Sequence, residues 1–147
     1  MKLEGKKAIV TGGSRGIGRA IALMYAKEGA DVLVNYHSND AAAKDTVAEI
    51  EKLGRKGVAV AADVASYESA QNMVEECVKQ LGGVDIVVNN AGVSKPSMLL
   101  KMKEEDWDAI INIHLKAAFN TTQAAGRHMK EQKSGKIINV ISTAGIF

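Results

Sequence analysis

A single cysteine, Cys77, stands in the 147 residues, so no disulfide can form within the chain. It lies on an apolar stripe with Ala70, Met73, Val74 and Leu81, the setting of a buried structural thiol rather than a reactive one. Excess charge is also scarce. Nineteen Lys and Arg against 17 Asp and Glu leave a formal net charge of +2, and the basic residues are scattered. Nucleic acid is therefore not an expected partner. No apolar run is long enough to span a bilayer, and the amino end has no apolar core of a secretory signal, so no membrane partner is expected either. No metal site is read from the sequence. No linker, low-complexity tract or internal repeat divides the chain, and 46% hydrophobic residues suffice for a core. Residues 1–147 read as one domain, expected in the cytoplasm.

The most informative segment present is Thr11-Gly12-Gly13-Ser14-Arg15-Gly16-Ile17-Gly18. It follows the apolar run Ala8-Ile9-Val10 and opens onto helical spacing at Ile17, Ile21 and Met24. A strand, a tight glycine turn and a helix start, in that order, aim backbone N–H groups at a phosphate without any cationic side chain. Missing side chains at Gly12, Gly16 and Gly18 allow the turn, the approach of a pyrophosphate and close helix packing. Ser14, Arg15 and Ile17 complete the expected cofactor loop.

Further apolar runs at Val32–Val34, Val58–Ala62, Ile86–Val88 and Ile137–Ile141 are continuous rather than alternating, which suggests strands buried on both faces. Amphipathic stretches around 16–28, 41–53, 66–81 and 104–130 lie between them, with Gly29, Gly54 and Gly82 at expected stops and Ser66 at an expected start. The alternation specifies an α/β fold, a Rossmann-like doubly wound parallel sheet with five strands.

In dinucleotide folds an acid at the end of the second strand holds the adenosine ribose hydroxyls. Here the strand ends Val34-Asn35-Tyr36-His37-Ser38 with no acid, and Asp31 lies at its other end, about 16 Å away at roughly 3.3 Å per residue. With Arg15 in the loop and Tyr36, His37 and Ser38 at the strand tip, NADP is favoured over NAD. Arg15 and His37 as solvated loop residues are the bland alternative. After the third strand, Asp63-Val64 offers an acceptor for an adenine amino group, or else a helix cap. After the fourth, Asn89-Asn90-Ala91-Gly92 suits a loop whose backbone approaches a ligand and whose amides tie strands together. A plain turn is the alternative.

These motifs, with Ile137-Ile-Asn-Val-Ile-Ser142, make the chain resemble the classical short-chain dehydrogenase/reductase family over its whole length. Met102-Lys-Glu-Glu-Asp-Trp107 and Asn35-Tyr36 look most like the 3-oxoacyl-(acyl-carrier-protein) reductases. The resemblance implies hydride transfer between NADP(H) and the carbonyl of a small-molecule or acyl-carrier-bound substrate, in a homo-oligomer, a tetramer by family habit. It matches Ser142, followed by Thr143-Ala144-Gly145, to the family's catalytic Ser; a turn serine is the alternative. His114 falls where the family has a proton-relay Asn. It also continues the stripe Trp107, Ile110, Ile111, Ala118, so a satisfied core histidine is the other reading, and Asn112 is expected on a different helix face. The family's Tyr-x-x-x-Lys pair, due shortly after Ser142, does not occur before Phe147, and Tyr25, Tyr36 and Tyr67 have the wrong partners four residues on. The expectation is a chain cut after its fifth strand, with residues 137–141 as an exposed apolar edge, marginally stable or self-associating. The two functional readings are a reductase and a nucleotide-binding or assembly module without turnover. A P-loop NTPase is excluded, since the loop lacks a Lys-Ser/Thr ending. A methyltransferase is disfavoured, since its glycine loop differs.

Overall fold

Five short runs of β-branched and small residues form one parallel sheet, seen in a computed structural model that describes residues 1–142. They are β1 (Lys7–Val10), β2 (Asp31–Tyr36), β3 (Gly57–Ala61), β4 (Ile86–Asn89) and β5 (Lys136–Asn139), in the spatial order β3-β2-β1-β4-β5. The chain winds outward from β1 to β3 and then returns to the other side of β1. The order reverses between β1 and β4, and there the carboxyl ends of the strands open a crevice.

Helices α1 (Gly16–Lys27) and α2 (Asp40–Lys52) cover one face, where Ala22, Ala26, Ala43 and Ile50 pack on Ala8, Val10, Val32 and Val34. The opposite face carries α3 (Tyr67–Leu81) and α5 (Ala117–Gln132), with Met73, Val74, Cys77, Ala124 and Met129 packed on Ile9, Leu33 and Val87. Between β4 and α5 come a single 3₁₀ turn (Leu99–Lys101), α4 (Glu104–Ile111) and a π-helical stretch (Asn112–Lys116) that joins α4 to α5 without a break.

The caps follow local chemistry. Asn39 accepts from Ala42 N–H at 3.0 Å to start α2, and the Ser66 hydroxyl accepts from Ser69 N–H to start α3. Gly29, Gly54 and Gly82 all adopt positive φ at the helix ends, where the sequence placed stops. The long helical segment differs from expectation. It runs to Gln132, contains the π stretch, and stops on Lys133 at φ 55°.

Continuous apolarity corresponds to full burial only in the central strands. Edge strand β3 is partly exposed, and Ile138 of β5 is 42% exposed. β5 also ends earlier than the run Ile137–Ile141. Its last ladder pair is Asn89↔Asn139, and after Val140 N–H bonds to Asn89 O the neighbouring chain turns toward β1, where Asn90 and Ala91 N–H groups bond the Thr11 hydroxyl. Ser142 thus lies three residues beyond the strand rather than at its end. Thr143-Ala144-Gly145 of the same motif lie outside the described residues.

Candidate functional site

At the carboxyl ends of β1 to β4 the structure opens a cleft of about 720 Å³, within the usual range for a ligand site. A smaller hollow of about 340 Å³ lies between β3 and α3, away from the order reversal. Gly12, Ser14, Arg15, Gly16, Ile17 and Gly18 form one wall of the cleft. Gly12 sits at φ 62°, and a Cβ on Gly18 would lie 2.2 Å from Gly12 O, so the turn can close only without side chains. Arg15 occupies the N-cap of α1 in extended geometry with no side-chain cap, which leaves the first-turn N–H groups of α1 facing the opening.

The wall is braced by polar side chains. The Thr11 hydroxyl accepts from the N–H groups of Asn90 and Ala91, each at 2.9 Å, and donates to Val88 O. Asn90 Nδ2 donates to Thr11 O at 3.0 Å, so the Asn-Asn-Ala-Gly segment ties β4 to the glycine loop as well as lining the cleft with Asn90, Ala91 and Gly92. Asn89 bonds Thr121 and Asn139, linking β4 to α5 and β5. Asn35, read from the sequence only as part of the strand end, is 2% exposed; its Oδ1 accepts from Gly12 N–H at 3.2 Å and its Nδ2 donates to Ala62 O at 3.1 Å.

Tyr36, His37 and Ser38 line the second wall, and Asp63 and Val64 the third. The Tyr36 hydroxyl donates to Asp40 Oδ1 at 2.7 Å, and Lys44 Nζ lies 2.6 Å from the same carboxylate. Hydrogen bonds from Lys44 and then Tyr36 hold the Asp40 carboxyl below the usual range, and the bond to Asp40 pushes the Tyr36 phenol up. Asp31 is engaged far from this tip, in an ion pair with Arg55 at 2.9 Å. The cap of α3 is Ser66, not Asp63. Asp63 Oδ1 instead accepts from Ala65 N–H at 3.0 Å and shapes its own turn.

Among the described residues, neither His114 nor Ser142 contributes to the cleft lining. His114 is not a core histidine: its ring is exposed, with Nε2 2.8 Å from Val93 O, and its Cε1 lies where a Gly92 Cβ would project. Asn112, expected on a different helix face from His114, is indeed apart from it and lines the cleft with Ala109 and Ile113. Lys95 does so too, paired with Asp106 at 2.5 Å. Asn112 follows Ala109 at i+3 on the phase of α4 itself, and Lys95 is placed by the loop after Gly92. Cys77 is buried, donates to Gly83 O, and its thiol is pushed up to about 12 by burial and then by the Asp85 carboxylate. It is a structural thiol.

Comparison with known proteins agrees with this geometry. Residues 6–147 match the family described as short chain dehydrogenase. The 3-oxoacyl-(acyl-carrier-protein) reductase FabG of Staphylococcus epidermidis is 46% identical over 140 residues, covering 95% of this chain and 57% of that protein. The enzyme of the same name from Thermotoga maritima is 41% identical over 147 residues, covering 100% of this chain and 59% of its own. A solved short chain dehydrogenase from Burkholderia cenocepacia J2315, in complex with NADP, superposes with a TM-score of 0.88 at 41% identity, over 95% of this chain and 56% of its own. A short-chain type dehydrogenase/reductase from Mycobacterium marinum gives a TM-score of 0.94 at 36% identity, over 99% and 59%. The chain spans less than two thirds of the length of these curated relatives. By the match of residues 6–147 and by these identities, it belongs to the short-chain dehydrogenase family.

Proposed function

We infer that the protein is an NADP-dependent reductase that converts a carbonyl, in the first instance a 3-oxoacyl thioester on an acyl carrier, to a hydroxyl. The observation that carries the reading is the meeting of an uncapped α1 N-terminus, Arg15 and the tip of β2 around one cleft. A pyrophosphate is accommodated where α1 presents free N–H groups and where Gly12 and Gly18 leave no side chain in the way. An additional phosphate on the ribose meets Arg15, His37 and Ser38. Asp40, the carboxylate that follows, is occupied by Lys44 and Tyr36 and so does not compete for ribose hydroxyls. Asp63 and Val64 form the adenine end of this arrangement, and Asn90, Ala91 and Gly92 its nicotinamide end.

When bound, the nucleotide supplies a hydride; the residues of this chain hold and orient it. Ser142, by its motif, donates a hydrogen bond to the substrate oxygen as negative charge develops there. His114 fixes the backbone at Val93, at the edge of the same loop. The 3-oxoacyl substrate class rests on likeness to relatives named as 3-oxoacyl-(acyl-carrier-protein) reductases. Half-exposed Trp107 and Phe119, with the more exposed Leu115, support a subunit contact along the long helical segment and hence a homo-oligomer. The test is to add acetoacetyl-coenzyme A to the protein with NADPH. Loss of the reduced-nicotinamide absorbance with formation of the 3-hydroxy product is expected. Saturable NADPH binding with no consumption by any 3-oxoacyl thioester contradicts the reading.

A further inference from the structure

The side chain of Asn120, fully buried on α5, points at the back of the cleft's third wall rather than into the cleft. Its Nδ2 donates to Val64 O at 3.0 Å and to Ala65 O at 3.3 Å, so one amide group clamps two successive carbonyls of the turn after β3. Its Oδ1 is buried with no partner among the described residues. A leucine of similar size would bury no such orphan acceptor. What the amide supplies is its pair of N–H donors, and those fix its orientation, since the reversed amide would set oxygen against two carbonyls. The turn it holds carries Asp63, Val64 and Ala65, all of which line the cleft. From its own side the turn is shaped by Asp63 Oδ1 on Ala65 N–H and by the Ser69 hydroxyl on Asp63 N–H. The next residue of α5, Thr121, is equally buried but bonds Asn89 at the end of β4 instead.

We propose that Asn120 is a positioning residue for the adenine end of the nucleotide site, acting through the carbonyls of Val64 and Ala65 to set Asp63 and Val64 against the base. This rests on the nucleotide reading given above. Loss of the two donors frees the turn to drift, and the adenosine half of the ligand loses its preformed contact.

The probe is adenosine 2′,5′-bisphosphate, titrated calorimetrically into the unaltered chain, Asn120→Ala and Thr121→Val, with thermal melts of all three. Asn120→Ala weakens the probe roughly tenfold, whereas Thr121→Val leaves its affinity within about twofold despite a comparable fall in Tm. Equal weakening by both variants, in step with Tm, makes Asn120 merely structural and overturns the proposal, as does unchanged affinity in Asn120→Ala. If Asn120→Ala does not fold, the decision falls to nuclear magnetic resonance of the unaltered chain. There the Asn120 Nδ2 proton signals shift on adding the probe, and signals that stay fixed overturn the proposal. Failure of the unaltered chain to bind both this probe and NADPH overturns the nucleotide reading itself, and the proposal with it.

Discussion

Gly18 has no space for even a methyl group, because a Cβ would sit 2.2 Å from Gly12 O and 2.6 Å from Asn90 Nδ2. One of these is backbone and the other is the amide that joins β4 to the loop. Gly18→Ala is expected to lower stability by about 1–3 kcal/mol, measured as a fall in the urea midpoint, and to weaken nucleotide binding in the same variant. Tyr36 and Asp40 offer a pH test. The Tyr36 phenol titrates above its ordinary value because Asp40 accepts its proton, so that contribution is present below the usual tyrosine range and is lost as pH rises through the raised value. Asp40 works in the other direction: its contribution is present above the usual carboxylate range and is lost as pH falls through its lowered value. Asp40→Asn should move the ultraviolet titration of Tyr36 to lower pH. An unmoved titration would remove Asp40 as the cause. That Arg15, His37 and Asp63 gather at one cleft was legible because motif spacing sets them in the loops after strands. The bracing role of Asn35, read only as part of a strand end, and the place of Asn120 were not. A buried amide reaching across the sheet leaves no periodic trace, and nothing local distinguishes it from an ordinary polar residue.

Between Glu104 and Gln132 the helix is continuous yet changes phase. The π stretch Asn112–Lys116 adds a residue to its turn, so everything after it is rotated by about 100° relative to an unbroken α-helix. The stripe from Trp107 to Ala118 is not a buried face, for α4 buries none of its residues even before the stretch. Trp107 is 55% exposed and His114 lies outside the core, whereas Ala117, Asn120, Thr121, Ala124 and Ala125 form the buried face beyond the stretch. Apolar spacing located the segment and missed its phase, since no residue type marks a π turn. The end of α5 is similar. The chain stops at Lys133 with φ 55°, a left-handed conformation that costs a non-glycine residue about 1 kcal/mol. Lys133→Gly should therefore raise stability by about 0.5–1 kcal/mol in chemical denaturation, and no gain would mean that the side chain compensates for its backbone.

For the molecule as a whole, the strand order β3-β2-β1-β4-β5 brings the glycine loop, the tip of β2, the Asp63 turn and the Asn90 loop to one crevice. These segments are far apart in the chain, and their convergence follows from parallel winding about β1. The fold class was legible because alternating apolar and amphipathic segments permit few other arrangements. Exposure at β5 was expected from the sequence, whereas that of the other edge strand, β3, was not, since Val58–Ala62 reads like any buried strand until its place in the sheet is known. Among the described residues no helix is long and apolar enough to cross a membrane. The central claim is that the crevice binds a nicotinamide dinucleotide and prefers the phosphorylated form. Its most direct test is parallel fluorescence titration of the chain with NADPH and NADH. Saturable binding of NADPH at lower concentration than NADH is predicted, with the gap narrowed in Arg15→Ala; no saturable binding of either, or tighter binding of NADH, would contradict it.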